Sequence, residues 1–338
     1  MSHPSETRQT SPSDPAQAGA PRTRRPVPWL PVLTTVALVV AAVALAFVRS
    51  GSGAVVTQAV LAGVLIGGIY GLLAMGLTLI FGVLDIVNFA HGAFLTVALF
   101  LTFWLVQSLG LHPYLALGVT VPAMFLIGFG VQRGVLSGAM GKPLQNQLLI
   151  TLGIALVIEN ALLMFVGANP RSVALPGDQG VQVLGAVAEL SNLFAFVGSL
   201  LLAGGLFLLL QRTRLGTAIR AVAANDVGAQ MVGIDVRRIY ALTFALGTAC
   251  AGAAGTLVAP LVTIEPTTGS LFNILAFVIV VLGSMGNVVG ALVGGLIIGL
   301  TEQLGTLLLP SQSPQLSVFI VFVLVLFLRP QGLFGRSA

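Results

Sequence analysis

Apolar residues run along this chain in blocks of about twenty, the length of helix that crosses ~30 Å of hydrocarbon. Such blocks stand near residues 29–48, 55–81, 88–108, 113–132, 147–167, 192–211, 239–262, 270–285, 287–308 and 314–328. They predict an all-α fold, a polytopic transmembrane helical bundle of about ten spans, eight to ten. Residues 1–27, rich in Ser, Pro, Thr and Ala, predict a disordered cytoplasmic tail ahead of a membrane domain over 28–338. Thr23-Arg24-Arg25 faintly resembles a twin-arginine export signal. The apolar run behind it, however, is longer than a signal core and reads as an uncleaved first span.

Two breaks between blocks are short, polar and glycine-bearing, at 82–88 and 283–287. They predict helices interrupted or turned at membrane depth, where bare backbone is tolerated only against protein or beside a cavity. Small residues recur at four-residue spacing in Gly63, Gly67 and Gly71, in Gly286, Gly290 and Gly294, and in Gly247, Ala251 and Gly255. Such stripes let helix backbones approach closely, which is how helices associate in lipid. The segment 63–68 echoes 290–295. Packing explains this echo better than duplication, because the second and ninth spans are not the partners an inverted five-plus-five repeat would pair.

One long stretch breaks the pattern. From Arg212 to Arg238 five arginines and two aspartates gather, so the segment lies in water between spans. Leu215, Ile219 and Val222 recur at helical spacing. Asn225 and Asp226 are suited to cap a second, short helix through Ala229, Met231 and Val232, which stops at Gly233 in a left-handed conformation before Ile234. The expected object is a helix, a break and a stub of helix at the membrane surface. It is either a knob gripped by a soluble partner or a solvated connecting loop.

Composition agrees with the blocks: 57% of residues are apolar and 7% charged, against ~25% charged in soluble domains. The net charge of +5 is spread thinly at the ends of apolar runs and reads as a topology signal, not a nucleic-acid surface. With the N-terminus inside, thirteen of the fifteen basic residues fall on the cytoplasmic side, and only Arg49 and Arg171 remain outside. Both termini and the 212–238 loop are then cytoplasmic. The one cysteine, Cys250, excludes an internal disulfide.

No phosphate-binding loop, HExxH pair or paired cysteines occur, and three histidines do not build a usual metal site, so neither cofactor nor metal is expected and the chain does not hydrolyse ATP itself. The candidate chemistry lies in polar residues within apolar runs, since a charge near the bilayer centre costs ~3 kcal/mol. Glu159 and Asn160 fall in the fifth span and Glu302 in the ninth. Each is a hydrogen-bonding element of a substrate path, an interhelical lock or a packed, neutral group. Asn88 and His91 open the third span, as structural hydrogen bonders or as path residues.

Gly76-Leu77-Thr78-Leu79-Ile80-Phe81-Gly82-Val83 followed by Asn88-Phe89-Ala90-His91-Gly92 resembles the signature of the permeases of branched-chain amino-acid ABC importers, of the LivH type. Arg220 to Ile234, Ala241 to Gly255, Gly283-Ser284-Met285-Gly286 with Gly290 to Glu302, and Arg329-Pro330-Gln331-Gly332-Leu333-Phe334-Gly335 are similar to the same family. The likeness covers residue 55 to the end. It implies a non-catalytic pore subunit in the cytoplasmic (inner) membrane of a prokaryote, paired with a second, LivM-type permease, two cytoplasmic ATPases and an extracytoplasmic binding protein. It also implies that 216–234, with Asn225, Ala229, Met231, Val232, Gly233 and Ile234, couples to an ATPase. Where relatives often carry Glu-Ala-Ala this chain has Val227-Gly228-Ala229, so no acid is carried over there. The other substrates compatible with the sequence are an amide, urea, a nucleoside or a sugar. An ion-coupled carrier without ATPases is the reading from a different class.

Overall fold

The longest apolar run becomes the longest helix, α1 (Gly53–Leu84, 32 residues), and the helices over 190–212, 236–258, 268–282 and 288–308 pack directly against it. The structure is a computed structural model that describes residues 43–49, 51–175, 180–183, 186–309 and 314–334. The tail of 1–27 and most of the expected span 29–48 lie outside the described residues; 43–49 is helical. After α1 come α2 (His91–Leu109), α3 (Leu117–Gly134), a 3-10 turn (Leu136–Gly138) and α4 (Leu144–Val166). A two-stranded antiparallel hairpin follows, β1 (Gly180–Val183) with β2 (Ala186–Glu189). The chain continues through α5 (Leu190–Arg212), α6 (Arg214–Ala224), α7 (Asp226–Met231), α8 (Val236–Val258), α9 (Thr268–Leu282), α10 (Val288–Leu308) and α11 (Pro314–Leu328). Among the described residues, seven helices are long and apolar enough to cross a membrane: α1, α2, α3 with its turn, α4, α5, α8 and α10. The shorter α9 and α11 fill the eighth and tenth expected spans.

The hairpin lies in the connection between α4 and α5. Its residues alternate across the ladder, with Ala186 and Ala188 buried. Gln58 at the start of α1 pins it by giving a hydrogen bond to the Val187 carbonyl (2.7 Å) and accepting one from the Val187 amide (2.8 Å).

The core is the contact of α1 with α8 and α10, and small residues make it possible. A Cβ added at Gly63 would lie 2.8 Å from Leu300 Cα, and one at Gly67 2.9 Å from Leu296 Cα. From the other side, a Cβ on Gly295 would meet the Gly71 backbone and one on Gly299 the Gly63 carbonyl. The segment 63–68 therefore faces 295–300 across the α1–α10 contact and meets its echo, 290–295, only at Gly295. The stripe of Gly286, Gly290 and Gly294 is divided: Gly290 meets the Gly283 backbone and Gly294 meets Ile279, while Gly286, ahead of α10, meets Gly82 of α1. α10 thus carries two glycine faces, one for α9 and one for α1. On α8, Gly247 and Gly255 press on α1 at Gly76 and on α2 at Leu95.

Local polar contacts sort the connections into two ends. At one end Leu333 N donates to Leu282 O and Gly82 packs on Gly286. At the other, Arg171 pairs its backbone with Ile264, Tyr114 donates to Ser191 O, and Arg49 donates to Leu308 O. Of the described basic residues only Arg49 and Arg171 stand at the second end.

Candidate functional site

Two helices begin inside the bundle. Leu84 ends α1, and Asp85 takes a left-handed turn (φ 54°) that sends the chain back up beside its own helix. By His91 it has climbed to the level of Leu73, whose carbonyl lies 3.0 Å from the His91 Nε2. Leu73 stands about 16 Å of helix before Leu84 at 1.5 Å per residue, so α2 starts roughly halfway through the bundle. From the opposite end, the segment after α8 descends without helix until Thr268, where α9 begins beside α2 and runs the other way.

The two starts are capped by each other. A helix leaves its first amide groups without internal partners, and at this depth no water serves them. Asn273 of α9 accepts the Gly92 amide of α2 on its Oδ1 at 3.0 Å. In return, Thr96 of α2 accepts the Gly269 amide of α9 on its Oγ1 at 3.0 Å, while donating to Gly92 O. Asn88 completes the α2 cap by accepting the Ala90 amide, 3.0 Å. Gly92 and Gly269 touch so closely that a Cβ on either would run into the carbonyl of the other. The result is a pair of helices held N-terminus to N-terminus in a packed core.

Asn88 and His91 are both fully buried there. Asn88 Nδ2 and His91 Nδ1 have no hydrogen-bond partner. The His91 ring lies against Gly76, which also packs on Gly247 and Cys250, leaving no space around it. The other three candidates are elsewhere. Glu302, on α10, is partly buried and hydrogen-bonds with the Tyr70 hydroxyl, while its Oε2 has no partner. Glu159 and Asn160 lie on α4, of which only Gln147 and Thr151 are buried. Asn160 is exposed and donates to Leu156 O at 2.7 Å. The structure thus does not bring the five together.

The polar loop forms the second site. Thr213 caps α6 by accepting the Gly216 amide (3.0 Å), and Ile219 and Val222 turn inward. Arg220 donates to the carbonyl of Leu210, tying α6 to the end of α5. Asn225 breaks the helix in extended conformation and caps α7, its Oδ1 accepting the Gly228 amide at 2.8 Å. After six residues Gly233 adopts φ +86°, and the Ile234 amide closes on Ala229 O at 3.0 Å. Asp235 then caps α8 through the Arg238 amide, 3.1 Å. Within the stub Ala229 is buried and Ile234 half-buried, while Met231 is 82% exposed, Val232 77% and Val227 58%. A short, fully capped helix therefore presents three bare apolar side chains to solvent. Beside it opens a cleft of about 1010 Å³, walled by α7, the start of α8, the end of α3 and the turn after it.

Over residues 59–328 the chain matches the family described as branched-chain amino acid transport system, permease component. The chain belongs to this family. This permease is 30% identical over 299 residues to the high-affinity branched-chain amino acid transport system permease protein BraD of Pseudomonas aeruginosa, covering 82% of this chain and 95% of that one. It is 34% identical over 283 residues to the probable branched-chain amino acid transport permease protein LivH of Methanocaldococcus jannaschii, covering 78% and 88%. The ribose import permease protein RbsC of Escherichia coli K12 is 26% identical over 223 residues, 62% of this chain and 69% of that one. No solved structure matches this permease.

Sequence reasoning missed Thr96, Asn273 and Tyr70. Threonine and asparagine in an apolar run are polar signals as visible as Asn88. Their partners, however, are 173 and 181 residues distant, and nothing local announces the pairing.

Proposed function

We propose that this permease is the membrane subunit of an ATP-driven importer that carries branched-chain or similarly apolar amino acids inward across the cytoplasmic membrane of a prokaryote. Its partners are a second, related permease, two cytoplasmic ATPases that hydrolyse the ATP, and an extracytoplasmic binding protein. The observation that carries the reading is the α7 stub: a rigidly capped helix with Val227, Met231 and Val232 bare at the basic, cytoplasmic end. Solvent-facing apolar residues on so short a helix favour docking in an ATPase over a plain linker.

Asn88 and His91 act here as positioning residues that hold the α2–α9 junction. Glu159 and Asn160 face away from this chain's own core, and exposing them to lipid is costly. They face the second permease, where the solute path runs between the subunits. Glu302 with Tyr70 lines the near side of that path or locks α10 to α1.

The test is uptake in vesicles holding both permeases, the ATPases and the binding protein. Leucine should accumulate only with ATP. The ribose permease among the relatives favours a sugar as the second reading, and ATP-dependent uptake of ribose without leucine would select it. Leucine uptake without ATPases would return the protein to an ion-coupled carrier.

A further inference from the structure

The wall of the cleft opposite the stub carries a pattern that transport leaves unused. On α3, Val119, Leu126 and Arg133 stand seven residues apart, so they follow one stripe of the helix. All three are exposed. Gly130, between the last two, has nothing within 4 Å of the place a Cβ would take. The stripe is an apolar track with a notch near its end, and it finishes at Arg133 in the last turn of α3. Phe129 and Met140 carry apolar surface on into the cleft.

The rim of the same cleft is basic. Arg133 lines it from α3 and Arg237 and Arg238 from the first turn of α8, all exposed. Lys142, also exposed, directly follows Gly141 of the lining. The two arginines of α8 share the sign of the helix dipole at that end, so they do not serve the helix they stand on. The acids on the lining, Asp226 and Asp235, are fewer and are held at helix starts, where they accept the Val227 and Arg238 amides. A free anion would answer the arginines and leave the track bare. An acidic segment of a soluble protein would do the same, because Leu126 stands about 10 Å of helix deeper than Arg133. That depth lies inside the ~15 Å of hydrocarbon that one leaflet supplies. A molecule with an anionic head and an apolar tail answers both halves.

We propose that the cleft holds the headgroup of one anionic phospholipid, with its phosphate on the arginines of α3 and α8 and an acyl chain laid along Gly130 and Leu126. Arginine suits a phosphate because its guanidinium donates two parallel hydrogen bonds, and basic pockets between spans are where such headgroups bind. Seated there, the lipid ties α3 to α8 at the foot of the stub. The site does not depend on which solute is carried.

The full chain, delipidated in detergent and offered dioleoyl phosphatidylglycerol and dioleoyl phosphatidylcholine in equal amounts, should retain one phosphatidylglycerol in native mass spectrometry. The expected preference over phosphatidylcholine is at least tenfold. The double variant Arg133→Gln/Arg238→Gln should lose that preference. Arg212→Gln/Arg214→Gln, which removes the same charge outside the lining, should keep it. Gly130→Phe fills the notch, leaves every charge in place and should weaken retention several-fold. Glycerol phosphate, a head without chains, should not displace the lipid from wild type. Equal retention of the two lipids by wild type overturns the inference without any substitution. So does an equal loss in the two double variants, which would reduce the effect to diffuse attraction by a basic surface. Gly130→Phe binding as wild type, or displacement by glycerol phosphate, would leave only a site for soluble phosphate and overturns it too. Expulsion of the lipid when the ATPases assemble would give the arginines to a protein contact, and the inference falls.

Discussion

Asn273 and Thr96 each provide the single acceptor for an amide that water does not reach, and this makes them sensitive positions despite their small size. Replacing Asn273 by Leu leaves the Gly92 amide buried and unsatisfied, at a cost of about 1–3 kcal/mol. We expect a clear fall in the thermal unfolding midpoint of the detergent-purified protein, with a similar fall for Thr96→Val. An unchanged midpoint in both would mean that the reciprocal caps hold nothing. Glycines divide sharply at the same scale. At Gly67 a side chain meets Leu296 Cα and the Gly295 carbonyl, backbone that does not swing aside, whereas at Gly118 nothing lies within 4 Å. Gly67→Val should therefore destabilise by about 1–3 kcal/mol or prevent folding, and Gly118→Ala should be neutral, read as folded yield and unfolding midpoint side by side. Sequence spacing marks Gly67 as a packing residue but leaves Gly295 and Gly299 unmarked, because glycines on both faces of α10 look alike when both faces are apolar.

For the α6–α7 element, the prediction concerns what its exposed face does. Burying a side chain the size of Met231 in a partner contributes ~1.5–3 kcal/mol, so Met231→Asp should weaken association with the ATPases roughly tenfold to hundredfold while membrane insertion is unchanged. Co-purification of the ATPases with the variant reads this directly. Gly233 leaves the stub at φ +86°, a conformation that a β-branched residue resists. Gly233→Val should leave the complex assembled but poorly coupled, with ATP hydrolysis persisting as uptake falls. Normal hydrolysis and uptake in both variants would make the element a linker. Its architecture is legible in the sequence because each of its caps, Thr213 to Gly216, Asn225 to Gly228 and Asp235 to Arg238, closes over three residues. Ala229 is the exception among its candidates. It belongs to the buried side, which depends on what lies beneath the stub.

At the scale of the whole molecule, the distribution of arginine sets orientation. Reporter tags after Ala338 and within 212–238 should read cytoplasmic and one within 172–185 external; an external 212–238 loop would overturn both the topology and the docking role. Glu159 tests the assembly. If it faces a partner permease across a polar path, Glu159→Gln, which keeps the hydrogen-bonding capacity, should preserve uptake, while Glu159→Leu should lower it at equal expression. Equal uptake by wild type and Glu159→Leu would leave the α4 face to lipid.

Hydrophobic length by itself determined which stretches form long apolar helices, since leaving backbone unpaired in hydrocarbon costs more than any local preference returns. It likewise set the loop and its caps, whose hydrogen bonds are short-range. Tertiary structure alone decided that Asn88 and His91 sit halfway through the bundle, because the depth reached by 85–90 is fixed by packing against α1 and leaves no trace in hydropathy. It also decided which glycine face meets which helix. In lipid both faces of a span are apolar, so no polar stripe records the choice, and it falls to the shapes of segments more than two hundred residues apart, as with Gly67 and Leu296.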